Sequence, residues 1–194
     1  MMKTAQRICI VSAVALLTSQ SALAQTSNWN IDPAHSTAQF TVRHLAISNV
    51  TGSFTKVTGS VVLNEKDITQ SQVSASIDVS SVDTRVEMRD NDLRSPNYLD
   101  AKKYPTITFQ SKKIEAAGPG KLKVIGDLTI HGVTKEVVLE VDGPSAPIKD
   151  PWGNQRMGAS AVTKINRMDF GVAGAPGMVG DDITITLGIE MFKK

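Results

Sequence analysis

The chain has 194 residues, of which 21 are Lys or Arg and 19 are Asp or Glu, so its formal net charge is only +2 at pH 7. A protein that binds nucleic acid through the phosphates is expected to show a basic excess or a basic stripe, so this composition argues against that class. The length fits a single domain.

The N-terminal segment has the features of a secretory signal peptide. Lys3 and Arg7 precede an apolar run at residues 8–17, and Ala22-Leu23-Ala24 matches a small-residue cleavage signal. The apolar run is too short for a transmembrane helix. We therefore predict a signal peptide over residues 1–24 that is cleaved after Ala24, and a periplasmic or secreted location.

Cleavage would leave one domain over residues 25–194. The leader carries two basic residues and no acid, so the mature chain would have as many acidic as basic residues. The only cysteine, Cys9, also lies in the leader. The mature domain is therefore predicted to contain neither a disulfide nor a reactive thiol.

Alternation of apolar and polar residues recurs along the rest of the chain, and amphipathic patterns of helical length are nearly absent. This period of two indicates half-buried strands, which Gly, Pro and Asn clusters separate. The segments that show it lie at residues 36–44, 57–63, 72–79, 106–110, 121–130, 133–142, 157–165 and 183–191. About eight such strands predict an antiparallel all-β domain.

The clearest of these patterns is a hairpin over residues 121–142. If His131-Gly132 is a two-residue turn, Val124 pairs with Leu139 and both apolar sets share one face. Gly132 suits a turn position with positive φ, which the preferred hairpin turns require. Strands of about ten residues span roughly 33 Å, which suggests a tall barrel or sandwich with a deep apolar interior.

One helix is predicted to begin near Thr84. Thr84 and Glu87 have the spacing of a capping box, and Ser95-Pro96 ends the segment. Val86, Arg89, Asp90 and Leu93 would share one helix face because they follow the i, i+3, i+4, i+7 spacing. A face that is half apolar and half charged suggests a helix that lies across one end of a barrel. Four glycines within residues 171–180 mark a candidate mobile flap.

Residues that carry catalytic or metal chemistry are sparse. His35, His44 and His131 show no metal-ligand spacing, and the sequence contains no nucleophile elbow, phosphate loop or dinucleotide fingerprint. We therefore predict no metal, no cofactor and no enzymatic activity. An enzyme that acts on an amphiphile through His35 or His131 is a weaker alternative.

Taken in order, the motifs of the chain resemble the YceI-like family of periplasmic polyisoprenoid-binding proteins. The segments that carry this resemblance are WNIDPAHS at 29–36, VTGSF at 50–54, VDT at 82–84, RD at 89–90, LRS at 93–95, KYP at 103–105, GDLTIHGVT at 126–134 and NRMDFG at 166–171. The resemblance implies an eight-stranded, lipocalin-like antiparallel barrel with a short helix near one end. It also implies an elongated apolar cavity for an isoprenoid chain or a related amphiphile, and it allows a homodimer. In one departure, Asp92 stands where the family usually has a histidine.

The alternation predicts which side chains face the lumen, since a barrel buries one face of every strand. The predicted apolar lining consists of Phe40, Val42, Phe54, Val79, Ile107, Phe109, Leu122, Val124, Val137, Leu139, Ile185 and Leu187. Arg89 and Asp90, with Arg94 one turn later, are the candidates for a polar end that holds a lipid headgroup, since the fork of arginine suits anions. The alternative for Arg89 and Asp90 is structural: each pairs with a charge at the end of the barrel or caps a backbone group.

Two classes of function without catalysis therefore remain open beside the enzyme alternative. The first is periplasmic binding of a polyprenyl lipid or isoprenoid quinone, for transport, sequestration or stress protection. The second is a structural or stress-related interaction module whose barrel is filled by side chains, because eight-stranded barrels can be either solid or hollow.

Overall fold

A computed structural model describes residues 26–194. The predicted signal peptide, residues 1–24, lies outside this range. The strands are β1 Thr26–Ile31, β2 Thr37–His44, β3 Ser48–Phe54, β4 Val57–Asn64, β5 Gln72–Asp78, β6 Val82–Asp83, β7 Thr106–Ala116, β8 Lys121–Ile130, β9 Val133–Asp142, β10 Ile148–Lys149, β11 Gln155–Asn166 and β12 Val179–Lys193. The one α-helix among the described residues is α1, Glu87–Arg94, and 3-10 turns lie at Ile68–Gln70, Val79–Ser81 and Arg167–Phe170.

These strands form a closed antiparallel barrel with eight strand positions, which are called walls here. Three of the walls each consist of two short strands that follow one another. β11 occupies one edge of β12, so β1 and β2 share the other edge and act as two parts of one wall. In the next wall, β4 pairs with β1 and β3 pairs with β2. In the wall after that, β5 pairs with β4 and β6 pairs with β3. The walls β7, β8, β9, β11 and β12 complete the ring. The predicted eight-stranded barrel is therefore confirmed.

The hairpin of β8 and β9 has the register that the alternation predicts. Val124 lies opposite Leu139, and Ile130 lies opposite Val133 at the turn. His131 and Gly132 have φ angles of 52° and 75°, which is the positive-φ pair that a two-residue turn of this hand requires. This turn fixes which face of both strands points inward.

The hydrogen-bonded seam between β9 and β11 is short. These strands share only three residue pairs in the described structure, Ser160↔Asp142, Ala161↔Val141 and Val162↔Glu140. Beyond these pairs, the 3-10 turn at Arg167–Phe170 follows β11, and the Phe170 side chain is buried in the main apolar cluster. Packing of this turn thus supplements a short hydrogen-bonded seam.

The helix α1 is present where the pattern places it, but the predicted capping box is wrong. The N-cap is Val86, which has no capping side chain, and Thr84 bonds to Asp90 instead of Glu87. The Asp90 carboxylate accepts from the Thr84 backbone N–H at 2.8 Å and from its hydroxyl at 2.5 Å. Both residues are buried, so the carboxylate turns inward and ties α1 to the end of β6. Ser95 ends the helix as predicted.

Two buried clusters divide the interior. The larger one lies on the side of α1, and the smaller one surrounds Trp29 at the opposite end, where Met157 pairs with Met191 across β11 and β12. The Trp29 indole N–H donates to the Ser27 hydroxyl at 2.9 Å, so its buried polar group is satisfied. Within residues 26–194, no helix has the length and apolar character needed to cross a membrane.

Candidate functional site

An elongated apolar cavity of about 290 Å³ runs through the barrel. Along the regular part of β12 its wall extends from Ile183 to Met191, which is about 26 Å along the strand at ~3.3 Å per residue. Strand tilt reduces this to about 20 Å along the barrel axis. Packing voids in protein interiors are rarely larger than a water molecule, so a space of this volume is a cavity and not a packing defect. The lumen is hollow, which argues against the filled-core alternative.

Glycines keep the aromatic rings of the lining against the wall. A Cβ on Gly126 would lie 2.6 Å from Phe109 Cζ, and a Cβ on Gly52 would clash with the Phe40 ring. Gly126 lies opposite Ser111, two residues along β7 from Phe109, and Gly52 is the strand partner of Phe40, so each ring packs on the backbone of the neighbouring strand. The rings therefore cover the wall instead of crossing the lumen.

Most of the side chains predicted to face the lumen line this cavity. Ten of the twelve do so: Phe40, Val42, Phe54, Ile107, Phe109, Leu122, Val124, Leu139, Ile185 and Leu187. Val79 is buried in the core but lies in the 3-10 turn after β5, where the strand alternation has ended. Val137 lies opposite Gly126, and the Phe109 ring occupies the space in front of that glycine. Contact of the ten residues with a ligand stays a prediction.

The segment after β6 contributes lining residues that the strand patterns could not indicate. Leu93 of α1 and the following Tyr98 and Leu99 lie on the cavity wall. The spacing of Leu93 predicts its place on the inward helix face, but Tyr98 and Leu99 follow Pro96 in an irregular loop. Hydrogen bonds from Leu99 N to Leu93 O and from Tyr98 N to Ser95 O fold this loop back over the barrel end.

Arg89 and Arg94, two candidates for the polar end, make hydrogen bonds to the segment around β6. Arg89 donates from Nε to the Thr84 hydroxyl at 2.8 Å and from Nη2 to the Thr84 carbonyl at 2.9 Å. Arg94 donates to the carbonyls of Ser80 and Val82 at 2.9 and 2.8 Å. Like Asp90, neither lies among the described cavity-lining residues. Their geometry accounts for how α1 is attached, and a headgroup role for them stays a prediction.

Arg167 is a cationic side chain on the cavity wall, and its hydrogen-bonding capacity is used up. It is 4% exposed, and its five N–H groups are the full set that a guanidinium carries. These groups donate to the carbonyls of Val172, Gly174, Val179 and Gly180 and to the Asp181 carboxylate. Arg167 thereby clamps both ends of the glycine-rich segment at residues 171–180.

A second, more open pocket adjoins the clamped segment and is called the vestibule here. It is lined by Asp92, Asn97, Tyr98 and residues 173–176. Tyr98 is common to the vestibule and the cavity. Burial raises the pKa of the Tyr98 phenol, and the Asp92 carboxylate adds to this rise while Arg167 opposes it. The phenol therefore stays protonated and can donate a hydrogen bond.

A cluster of charged side chains lies where β1 gives way to β2. Asp32, His35 and Glu190 have ligand atoms within 4.8 Å of one another, a grouping that could hold a cation. The Arg156 guanidinium already fills that role, since its Nη1 lies 2.6 Å from Asp32 Oδ2 and 2.7 Å from Glu190 Oε1. Its Nε donates to Asp150 Oδ2 at 2.9 Å. We therefore assign the cluster to a structural charge network.

The charge network changes the acidity of its carboxyl groups. Hydrogen bonding to Arg156, and then to His35, lowers the pKa of Asp32 from 3.8 to about 2. Hydrogen bonding to Arg156 likewise lowers the pKa of Asp150 to about 2. Both carboxylates are ionised at neutral pH and hold Arg156 between β1, β10 and β12. The network explains the motif at residues 29–36 as an anchor of the barrel wall.

A model of the YceI-like domain matches residues 29–191 of this chain. The chain belongs to the YceI-like family. A UPF0312 protein of Vibrio parahaemolyticus is 39% identical over 151 residues, which are 77% of this chain and 79% of that protein. The resemblance inferred from the ordered motifs is thus confirmed over essentially the whole barrel.

Solved structures support the same assignment. A YceI protein of Campylobacter jejuni superposes on this YceI-like chain with a TM-score of 0.70 at 34% identity, covering 78% of this chain and 90% of that one. A polyisoprenoid binding domain from Saccharophagus degradans, implicated in plant cell wall breakdown, gives a TM-score of 0.65 and covers 86% of this chain and 98% of that one. Its identity is 15%, so that likeness concerns the fold alone.

Proposed function

We propose that this YceI-like protein is a periplasmic binding protein that holds a polyprenyl lipid or an isoprenoid quinone in the barrel cavity. The observation that carries the proposal is the long cavity, whose wall is formed almost entirely by aliphatic and aromatic side chains. A branched hydrocarbon tail makes no hydrogen bonds, so such a wall suits it along its whole length. The family shown by the match over residues 29–191, whose motifs imply an isoprenoid ligand, supports this ligand class.

The leader supports the proposed compartment. Its basic start, apolar run and small-residue cleavage signal are typical of exported proteins. Within the periplasm, the bilayers on either side are the natural source and destination of an isoprenoid lipid. We therefore favour transfer or sequestration of lipid over an action on a water-soluble compound.

The energetics favour a carrier over a permanent store. Burial contributes about 0.8 kcal/mol per methylene, so a long tail gains tens of kcal/mol relative to water. Measured affinities nevertheless saturate near roughly 18–21 kcal/mol. A bilayer offers the same tail a similar gain, so net transfer from membrane to protein is close to balanced. Such a balance allows release as well as uptake.

The arrangement favours binding over catalysis. Among the described residues, neither His35 nor His131 lies on the cavity wall. His35 contacts the Asp32 carboxylate at 2.9 Å within the charge network. His131 lies in the hairpin turn with its ring 4.7 Å from the Tyr104 ring, in an edge-to-face arrangement. Structural contacts thus account for both histidines that could have served an enzyme.

Uptake of a defined isoprenoid tests the proposed function. Protein stripped of lipid is incubated with geranylgeraniol, and the complex is separated from free lipid and quantified. We expect about one lipid per folded chain, displaceable by a longer polyprenol. Folded protein that retains no geranylgeraniol and no longer polyprenol would refute the proposal.

A further inference from the structure

Tyr98 lies on the wall of the apolar cavity and also on the wall of the vestibule. We propose that the vestibule holds the polar head of the bound lipid and that this head is uncharged, as in an alcohol, a quinone or a quinol, and not a phosphate or diphosphate. The inference rests on the proposed function, because it assigns the two ends of a lipid whose tail fills the cavity.

The location follows from the state of the other polar side chains along the cavity. Those on its lining are Gln39, Ser71, Thr108, Ser160 and Arg167. Gln39, Thr108 and Ser160 are exposed on the outer face of their strands. Ser71 accepts from the backbone of Asn64 at 3.0 Å, and all donors of Arg167 are taken. Of the polar side chains on the described lining, Tyr98 alone also borders the vestibule.

The class of head follows from the chemistry of the vestibule. Within residues 26–194 its lining contains one carboxylate, that of Asp92, and neither a lysine nor an arginine. Tyr98 and Asn97 supply donors, and Asp92 and Asn97 supply acceptors. This set can accept from a hydroxyl and donate to a carbonyl oxygen of an uncharged head. A phosphate would meet the negative charge of Asp92 with no compensating cation.

Arg167 cannot reverse this preference. It lies close enough to Tyr98 to affect the pKa of the phenol. Its guanidinium would have to give up hydrogen bonds to the carbonyls of Val172 and Gly174 in order to bind a phosphate. Because the group is buried, the released carbonyls would lose their partners and the clamp on residues 171–180 would open. The cost of that rearrangement opposes an anionic head.

The test compares three probes of similar tail length with different heads. These are geranylgeraniol, geranylgeranyl diphosphate and the headless hydrocarbon phytane, each titrated into the protein and followed by native mass spectrometry. We expect the wild-type protein to bind geranylgeraniol at least about tenfold more tightly than the diphosphate, as a nearby carboxylate repels an anion. Phytane should bind more weakly than the alcohol because it leaves the vestibule groups unpaired.

Two variants locate the effect. Asp92→Asn should strengthen binding of the diphosphate by about tenfold. It should change binding of the alcohol little, since the amide still accepts a hydrogen bond. Asp142→Asn is the charge-matched control, because Asp142 is an exposed carboxylate at the other end of the barrel, paired with Lys121. Tyr98→Phe keeps the ring and should weaken binding of geranylgeraniol by about two- to tenfold without affecting binding of phytane.

The outcomes separate this inference from the proposed function. If all three probes bind equally and Asp92→Asn and Tyr98→Phe change nothing, the cavity binds lipid but the vestibule does not hold the head. If Arg89→Ala selectively lost binding of the diphosphate, the head would lie at the start of α1, and this result would also overturn the inference. If none of the probes binds the wild-type protein, the proposed function itself fails.

Discussion

The Tyr98 ring packs directly on the backbone of Gly174, where an added Cβ would lie only 2.5 Å from Tyr98 Cζ. This contact joins the loop after α1 to the glycine-rich segment that Arg167 clamps. Because Tyr98 also lies on the cavity wall, the position of a wall residue depends on a glycine in another loop. The segment at residues 171–180 is thus a fitted part of the barrel end.

Gly174→Ala tests this contact. The added methyl group must displace the Tyr98 ring or the backbone, so we expect a loss of about 1–3 kcal/mol in the free energy of unfolding. Gly158→Ala is the control, since its nearest neighbour is the Ile189 carbonyl oxygen at 3.5 Å and an alanine fits. Urea unfolding measures both. Equal stabilities of the two variants would mean that the contact is not constrained.

A matched pair on β9 tests which face of the hairpin forms the cavity. Leu139 lines the cavity, whereas the adjacent Val138 is 42% exposed on the outer face. Leu139→Trp should fill part of the empty volume and reduce geranylgeraniol uptake by at least about tenfold, with little loss of stability. Val138→Trp should leave uptake unchanged. If the outward substitution were the one that abolished uptake, the assignment of the lining would be wrong.

The attachment of α1 makes a prediction about two acidic residues on the same helix. Asp90→Ala should cost about 2–4 kcal/mol, because the buried hydroxyl and backbone N–H of Thr84 lose their acceptor. Glu87→Ala should change stability by no more than about 0.5 kcal/mol, since Glu87 is exposed. Chemical denaturation compares the two. A larger loss of stability in Glu87→Ala than in Asp90→Ala would instead support the capping box that the sequence suggests.

The charge network predicts a pH dependence of stability. The pKa values of Asp32 and Asp150 fall from 3.8 to about 2 on folding, so their contribution is complete above about pH 4 and is lost as the pH falls through 2. The difference in melting temperature between the wild type and Arg156→Gln should therefore be largest at pH 7 and shrink between pH 4 and pH 2. Lys121→Gln, which removes an exposed pair, should show a small difference throughout. A difference in melting temperature for Arg156→Gln that stays constant from pH 7 to pH 2 would contradict this explanation.

Much of the barrel follows from local sequence patterns. The alternation in β8 and β9, with a glycine at the turn, determines both the register and the inward face, and Val124 does lie opposite Leu139. The eight walls follow because each strand must bury one face. The division of three walls into β1 and β2, β3 and β4, and β5 and β6 has no comparable signal. It depends on contacts distant in sequence, such as that of Arg156 with Asp32.

The candidate site was less predictable than the fold. Spacing places Arg89 and Asp90 on one helix face, but it cannot tell that Thr84 is the group they contact. Tyr98 lies in an irregular loop whose path is set by hydrogen bonds to Leu93 and Ser95. Its role also depends on Gly174, more than seventy residues away in the chain. Periodicity carries no information about such pairings.

The most direct test of the central claim is native mass spectrometry of the protein purified gently from periplasmic extract, without detergent. We expect a folded species whose mass exceeds that of the polypeptide by one isoprenoid lipid, with an uncharged head identified by fragmentation. Leu139→Trp, purified in the same way, should lack this species. Folded wild-type protein that carries no lipid, and that takes up neither polyprenol nor isoprenoid quinone when these are added, would contradict it.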